Sequence, residues 1–383
     1  MKTQSVVSFE LANWYKINKR DMPWRSSKDP YKIWLSEIIL QQTQVVQGTP
    51  YYLKFIECYP SLQLLAQANE DDVLRLWQGL GYYSRARNLL YTAKYIKHQL
   101  HGVFPNSYAG LLQLKGIGDY TASAIASIAY NEAVAVVDGN VNRVISRLFK
   151  VNVSGKEGAK TIKNLAFQLL NQENPSEHNQ AMMELGSLIC KPQSPKCNIC
   201  PISNHCLAYK DKVVKNFPSV SIKKEQKLRF LNFIVKLTPQ GKVLLTKRTG
   251  NDIWKNMYTF PFIESNKTIE FLALLKEFDP KLEPFELLNI MSLTHILSHQ
   301  ILKATFYLIQ SQTNTKANLL EMPSDSIWTV NESSSNIVEN SFKKNNIFEV
   351  EFEMLGKTFP LPRLISKYIE TKEIKEIFNK TCP

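Results

Sequence analysis

The chain has 383 residues, 44% of them hydrophobic, which is too long for one ordinary domain and sufficient for two buried cores. Its formal charge of +13 is uneven, with 25 Lys and Arg against 16 Asp and Glu in residues 1–216, a balance that suits a polyanionic partner. No apolar run reaches membrane-spanning length, and Met1-Lys2-Thr3-Gln4 leads into mixed polar sequence, so a cytoplasmic protein without a signal or membrane partner is expected.

Apolar residues at helical spacing predict helices over 30–47, 61–67, 70–78, 84–100, 107–114, 120–130, 141–149 and 158–171. Pro30, Pro60 and Pro105 stand at helix entrances, where a missing N–H costs least. No strand pattern interrupts residues 1–210, so a mainly α domain over 1–216 is expected. After Phe217-Pro218 the texture changes to a basic, exposed linker, 217–229. Alternation over 230–237 and 242–247 around Pro239-Gln240-Gly241 then predicts a β-hairpin. A helix near 268–278, strands near 301–309 and 347–353, and a last helix over 362–371 make the second domain, 230–383, α+β.

Four of the six cysteines crowd into 17 residues, spaced Cys190-x6-Cys197-x2-Cys200-x5-Cys206. Zinc sites usually use two separated close pairs, whereas this compact run suits the four thiolates of an iron–sulfur cube; structural zinc is the weaker alternative. Cys58 and Cys382 lie apart and read as ordinary thiols. Lys191 and Lys196 fall inside the loop, either as solvated charge or as phosphate contacts.

Leu114-Lys115-Gly116-Ile117-Gly118-Asp119-Tyr120-Thr121 lies between two predicted helices. Gly116 and Gly118 allow a tight turn, and the helix beginning near Thr121 adds its positive end, a combination that grips phosphate without reading bases. Asp138 ends an apolar run just before a helix, the ordinary place for an N-cap. Glu37 has Ile33, Trp34, Leu40 and Gln41 as helical neighbours; a carboxylate on that face is desolvated, its pKa rises, and it becomes fit for general-acid work. Alone, each would pass for a cap and a helix-edge acid.

Together, Ser36-Glu37-Ile38-Ile39-Leu40-Gln41-Gln42-Thr43-Gln44-Val45, Val137-Asp138-Gly139-Asn140-Val141 and the cysteine spacing resemble the MutY branch of the endonuclease III-like, helix–hairpin–helix DNA glycosylases. The resemblance implies that Glu37 protonates adenine N7 and later activates water, and that Asp138 supports the oxocarbenium ion or a covalent intermediate, as paired carboxylates do in glycoside hydrolysis. Tyr120 and Asn140 would hydrogen-bond these carboxylates. Tyr120 stands where strand-cutting relatives carry the Schiff-base lysine, so hydrolysis to an abasic site is implied. Cys190, Cys197, Cys200 and Cys206 would hold a [4Fe–4S] cluster bracing a DNA-gripping loop. Base flipping requires wedge residues, for which Gln42, Thr43, Leu80, Gly81 and Tyr82 are the matching positions. Trp24, Arg25 and Glu184 correspond to adenine-pocket residues, and Lys115 replaces a usual proline beside Gly116 and Gly118.

In the second domain, Trp254-Lys255-Asn256-Met257-Tyr258-Thr259-Phe260-Pro261 and Leu361-Pro362-Arg363-Leu364 resemble the family's Nudix-like domain, without the Nudix catalytic box. Thr294-His295-Ile296-Leu297-Ser298-His299 is similar to the loop that reads 8-oxoguanine; Leu297 replaces its phenylalanine, while Ser298 and His299 match. The implied partner is double-stranded DNA with adenine opposite 8-oxoguanine or guanine, bound by a monomer. Two other readings stay open: a glycosylase/lyase acting on oxidised pyrimidines, and a non-catalytic iron–sulfur DNA-binding protein.

Overall fold

The computed structural model describes residues 2–152, 155–219, 225–267, 269, 271–278, 284–311, 337–340 and 347–381. Cys382, the serine run Ser333–Asn336 and positions 220–224 of the expected linker lie outside them. The chain divides into two compact units: Met1–Ala68 with Arg85–Ile222, and Asn69–Ser84 with Lys223–Pro383.

Helices come first, in the order α1 (Lys2–Asn18), α2 (Pro30–Leu40), α3 (Val45–Cys58), α4 (Leu62–Gln67), α5 (Glu70–Leu76) and α6 (Ser84–Gln99). They continue with α7 (Tyr108–Leu111), α8 (Asp119–Tyr130), α9 (Gly139–Phe149), α10 (Gly155–Leu169), α11 (Pro175–Leu188) and α12 (Leu207–Lys210). Local chemistry sets several boundaries. Asp29 caps α2 by accepting from Tyr31 N–H, with Pro30 in the first turn, and Asn174 and Pro175 repeat that arrangement at α11.

The single helix expected over 30–47 is broken in two. Gln42 adopts φ +55°, and Arg85 Nη1 donates to the carbonyls of Ile38, Ile39 and Gln41 at 2.9, 3.0 and 2.5 Å, capping α2 from a distant point in the sequence. Helices α1 and α11 escaped the periodicity reading. Phe9 and Ile17 of α1 are exposed, which blurs its apolar stripe; α11 buries His178, Asn179 and Glu184 on its inner face. Both nevertheless frame one hydrophobic core, where Val7, Leu11 and Tyr15 meet Val141, Ile145, Leu148, Ile162, Met182 and Leu185. Cys190, Cys200 and Cys206 pack against the same cluster, so the cysteine loop is seated on it.

In the second unit come β1 (Lys227–Leu237), β2 (Lys242–Lys247), β3 (Tyr258–Thr259), β4 (Phe262–Ser265), α13 (Phe271–Phe278), β5 (Phe285–Ile296), β6 (Gln300–Ser311), β7 (Ile337–Asn340), β8 (Ile347–Glu351), α14 (Arg363–Ile369) and α15 (Lys372–Thr381). β1 is the central strand: it pairs in parallel with β6 from Lys227↔Gln300 to Leu237↔Gln310, and with β4 and then β2 on its other edge. Both its faces are covered, which explains its nearly continuous apolar run. The β1–β2 hairpin lies where the alternation placed it. β5 was not expected; it is half exposed, and eleven paired positions with β6, rather than burial, hold it as a strand. Leu297, Ser298 and His299 form the β5–β6 turn, closed by Leu297 N–H donating to Gln300 O at 2.8 Å. Among the described residues no helix is long and apolar enough to cross a membrane.

Candidate active site and cysteine loop

Glu37 projects from α2 and is 7% exposed. Tyr120, in the first turn of α8, donates its hydroxyl proton to Glu37 Oε2. Asp138 is the N-cap of α9: Oδ1 accepts from Val141 N–H at 2.7 Å, and Oδ2 from Asn140 Nδ2 at 2.7 Å. Burial pushes Glu37 up to about 7, opposed by the Tyr120 bond and Arg25 and reinforced by the negative charge of Asp138. Burial also raises Asp138, against the pull of its donors from Val141 and Asn140 and of the Arg143 charge. Burial and the two carboxylates raise Tyr120 well above an ordinary phenol, which keeps it a donor. The structure thus gathers Glu37, Tyr120, Asp138 and Asn140, and Asp138 is a helix cap whose negative charge Glu37 feels.

Two further residues fix this arrangement without having announced themselves in the sequence. Arg143 Nη2 donates to Asn140 Oδ1 at 2.9 Å and to Gly186 O at 2.7 Å, while Nε donates to Cys190 O at 2.7 Å. Gly186 lies so close to α9 that a Cβ there would stand 2.6 Å from Asn140 Cβ and 3.0 Å from Asn140 backbone, so the helices could not keep this approach with any larger residue.

Glu184, with a side chain 1% exposed, receives Arg20 N–H at 2.9 Å and Arg20 Nε at 2.8 Å on Oε1, and Arg20 Nη2 and Arg25 Nη2, each at 2.8 Å, on Oε2. Burial would raise this carboxyl, but the guanidinium bonds win and hold it down at about 2. Glu184 thus holds Arg25 and Arg20 together; Arg20 was not foreseen. Trp24 is buried, edge-on to Tyr52 with ring centroids 5.2 Å apart. Gln42 is exposed at the α2–α3 break, with Thr43 partly buried beside it.

In the hairpin, Gly116 adopts φ +81°, and a Cβ there would meet Asn88 Cβ at 2.8 Å. Thr92 Oγ1 donates to Lys115 O at 2.7 Å, tying the turn to α6, and Lys115 Nζ lies 4.4 Å from the Tyr91 ring centre. Gly118 caps α8, which begins at Asp119 rather than near Thr121. In the second unit, Gly81 and Tyr82 adopt φ +72° and +48°, Leu80 is buried, and the Tyr82 and Ser298 hydroxyls hydrogen-bond. Ser298 and His299 are exposed.

Cys190, Cys197, Cys200 and Cys206 line one cavity of about 300 Å³, counted to its open mouth, with Arg147 and Tyr209 also in its wall. Among the described residues no three His, Cys, Asp or Glu side chains converge as a single ion requires. A lone zinc would draw sulfurs to about 2.3 Å from one point. Four thiols around one cavity supply the donor set of an iron–sulfur cube. Burial pushes the Cys200 thiol up to about 12 and raises Cys197 and Cys206, so thiolates at these three positions need positive charge among them.

Three family models match the chain. The HhH-GPD superfamily of base excision DNA repair proteins matches residues 35–172, the iron-sulfur binding domain of endonuclease III matches 190–206, and a NUDIX domain matches 233–371. The adenine DNA glycosylase of Buchnera aphidicola subsp. Baizongia pistaciae is 38% identical over 295 residues, covering 76% of this chain and 82% of that protein. The enzyme of the same name from Buchnera aphidicola subsp. Schizaphis graminum is 38% identical over 303 residues, covering 77% and 84%. A solved thermostable thymine-DNA glycosylase superposes with a TM-score of 0.50 at 28% identity, covering 55% of this chain and 98% of that one. The expected architecture, a helical glycosylase domain plus a Nudix-like domain, is therefore correct, and the cofactor is a [4Fe–4S] cluster. With most of its length matched at this identity, the chain belongs to the adenine DNA glycosylase family, a base-excision-repair glycosylase whose partner is DNA.

Proposed function

We propose that the enzyme hydrolytically removes adenine standing opposite 8-oxoguanine or guanine in duplex DNA, acts as a monomer, and leaves an abasic site. The observation that carries this reading is Glu37, buried, raised to about 7 and held by Tyr120 beside Asp138. The protonated carboxyl of Glu37 donates to adenine N7. The C1′–N9 bond then breaks, its electron pair leaves on the base, and the Asp138 anion stabilises the cation left on the sugar. Water adds at C1′ and returns its proton to the Glu37 carboxylate. Tyr120 offers no amine for a Schiff base, which favours hydrolysis over strand cleavage.

Residues 1–216 are the catalytic domain, 217–229 the linker and 230–383 the recognition domain in this reading. Gly116 and Gly118 hold phosphate; Gln42, Thr43, Leu80, Gly81 and Tyr82 fill the gap left by the flipped base. Trp24, Arg25 and Glu184 build the adenine pocket, and Ser298 and His299 contact the opposite base. Cys190, Cys197, Cys200 and Cys206 ligate the cluster, which supplies structural bracing of the loop.

The test is single-turnover base release from duplexes carrying A opposite 8-oxoguanine, G or T. Release should be fastest opposite 8-oxoguanine, then guanine, and negligible opposite thymine, with no borohydride-trapped adduct. Efficient trapping together with cleavage at thymine glycol would favour the lyase reading. Arg143→Gln removes charged hydrogen bonds of about 1.5–3 kcal/mol. We expect it to slow base release by roughly ten- to a hundred-fold, with helix content by circular dichroism unchanged. An unaltered rate would show that Asn140 orients Asp138 unaided.

A further inference from the structure

Among the described residues three arginines are buried: Arg147, Arg229 and Arg248. Arg229 pairs with Glu264 and Asp252, and Arg248 with Asp252, all between 2.5 and 3.1 Å. That is how a cation is ordinarily kept out of water, since an unpaired buried charge is strongly destabilising. Arg147, 3% exposed, breaks the pattern. Nε donates to Phe217 O at 2.9 Å, Nη1 to Lys191 O at 2.8 Å and to Cys190 O at 3.4 Å, and Nη2 to Pro192 O at 3.2 Å. Among the described residues it has no Asp or Glu partner. The guanidinium also donates from Nη1 to Cys190 Sγ, at 3.3 Å, and the Arg147 carbonyl accepts from Cys206 Sγ at 3.5 Å.

We propose that Arg147 is the internal counter-ion of the iron–sulfur cluster, its guanidinium neutralising charge at the Cys190 thiolate from inside the fold. The inference rests on Cys190 being a cluster ligand. Four thiolates give the loaded site a net negative charge, and Arg147 lies within hydrogen-bond distance of one of them on the protein's interior side. The same guanidinium holds carbonyls at the start of the cysteine loop and at Phe217 beyond its end, so charge balance and loop closure meet in one side chain. Arg143 also reaches Cys190, but at its carbonyl, with Nε donating at 2.7 Å, rather than at the sulfur.

A fixed cation favours whichever form of the cluster carries one more electron, and hydrogen bonds to ligand sulfur act in the same direction. Arg147→Gln in the full-length holoprotein should therefore lower the one-electron midpoint potential, measured by voltammetry on DNA-modified electrodes and by a spectroscopic redox titration. The expected shift is at least tenfold in the equilibrium constant, about 59 mV for one electron. Arg147→Lys keeps the charge; it should retain four irons and stay well within tenfold of the parent. A fully loaded Gln variant with the parent potential overturns the proposal. If the Gln variant does not load, the Lys variant decides: a loaded protein near the parent potential supports the counter-ion role, and failure to load, or a shift as large as tenfold, overturns it. Iron and sulfide analysis of the parent separates the two levels, since colourless parent protein would sink the ligand reading itself, whereas brown parent with a potential insensitive to position 147 sinks only the counter-ion.

Discussion

Glu37→Gln is expected to cut single-turnover adenine release by about 10²–10⁴-fold, the usual contribution of a positioned general acid, and at the same time to stabilise the protein. Burial raises the folded pKa of Glu37 to about 7 from an ordinary 4.5. Below 4.5 the carboxyl is protonated whether the chain is folded or not, so it costs nothing. Between 4.5 and 7 the unfolded chain ionises while the folded one keeps its proton, and folding is progressively penalised. Above 7 the penalty is complete, on the order of 3 kcal/mol by the value of a pKa unit. Glutamine keeps a hydrogen-bonding partner for Tyr120 without the charge. Denaturant unfolding should therefore find the variant more stable at pH 8 and matched to the parent near pH 4.5. In the parent, base release should fall as pH rises through about 7, where the acid is lost, with a lower limb where Asp138 protonates. The two limbs belong to the coupled pair rather than to either residue. A Gln variant less stable than the parent at pH 8 would show that Glu37 is a structural acid.

Asp138→Asn is expected to lose about 10²–10³-fold in base release, the scale of one preorganised electrostatic contact, with a melting temperature at neutral pH no lower than the parent's, since burial penalises the ionised carboxyl there. Asparagine caps helices about as well as aspartate, so the bond from Val141 N–H survives while the anion does not. Asp138→Ala, by contrast, should lose both the rate and about 1 kcal/mol of stability. Thermal melts beside single-turnover kinetics separate the two roles of one carboxylate. Full activity in the Asn variant would reduce Asp138 to its cap.

Much of the site was legible because its chemistry is carried by contiguous strings. The Glu37 helix, the Asp138 cap and the cysteine run each declare themselves within 17 residues or fewer. What stayed hidden is supplied from far along the chain. Arg85 caps α2 across 47 residues, Arg143 reaches Cys190 across 47, and Arg20 reaches Glu184 across 164. No local period or composition marks such a residue, because an arginine that closes a helix or anchors a loop looks like surface charge until the fold buries it. Gly186 was hidden for the opposite reason: its function is an empty volume. The α2–α3 break was missed because apolar spacing runs on through Gln42, although the backbone there turns left-handed.

Tyr120 has one more consequence, for symmetry. A free carboxyl group has two interchangeable oxygens, but the phenol proton engages Oε2 of Glu37 and stays on the phenol, whose own ionisation is pushed far upward. In the proposed reaction, Oε1 is then the oxygen that presents a proton to the base. The two oxygens are no longer equivalent, and a nucleoside approaching from the Oε2 side meets an oxygen already engaged. One hydroxyl removes the symmetry of the acid.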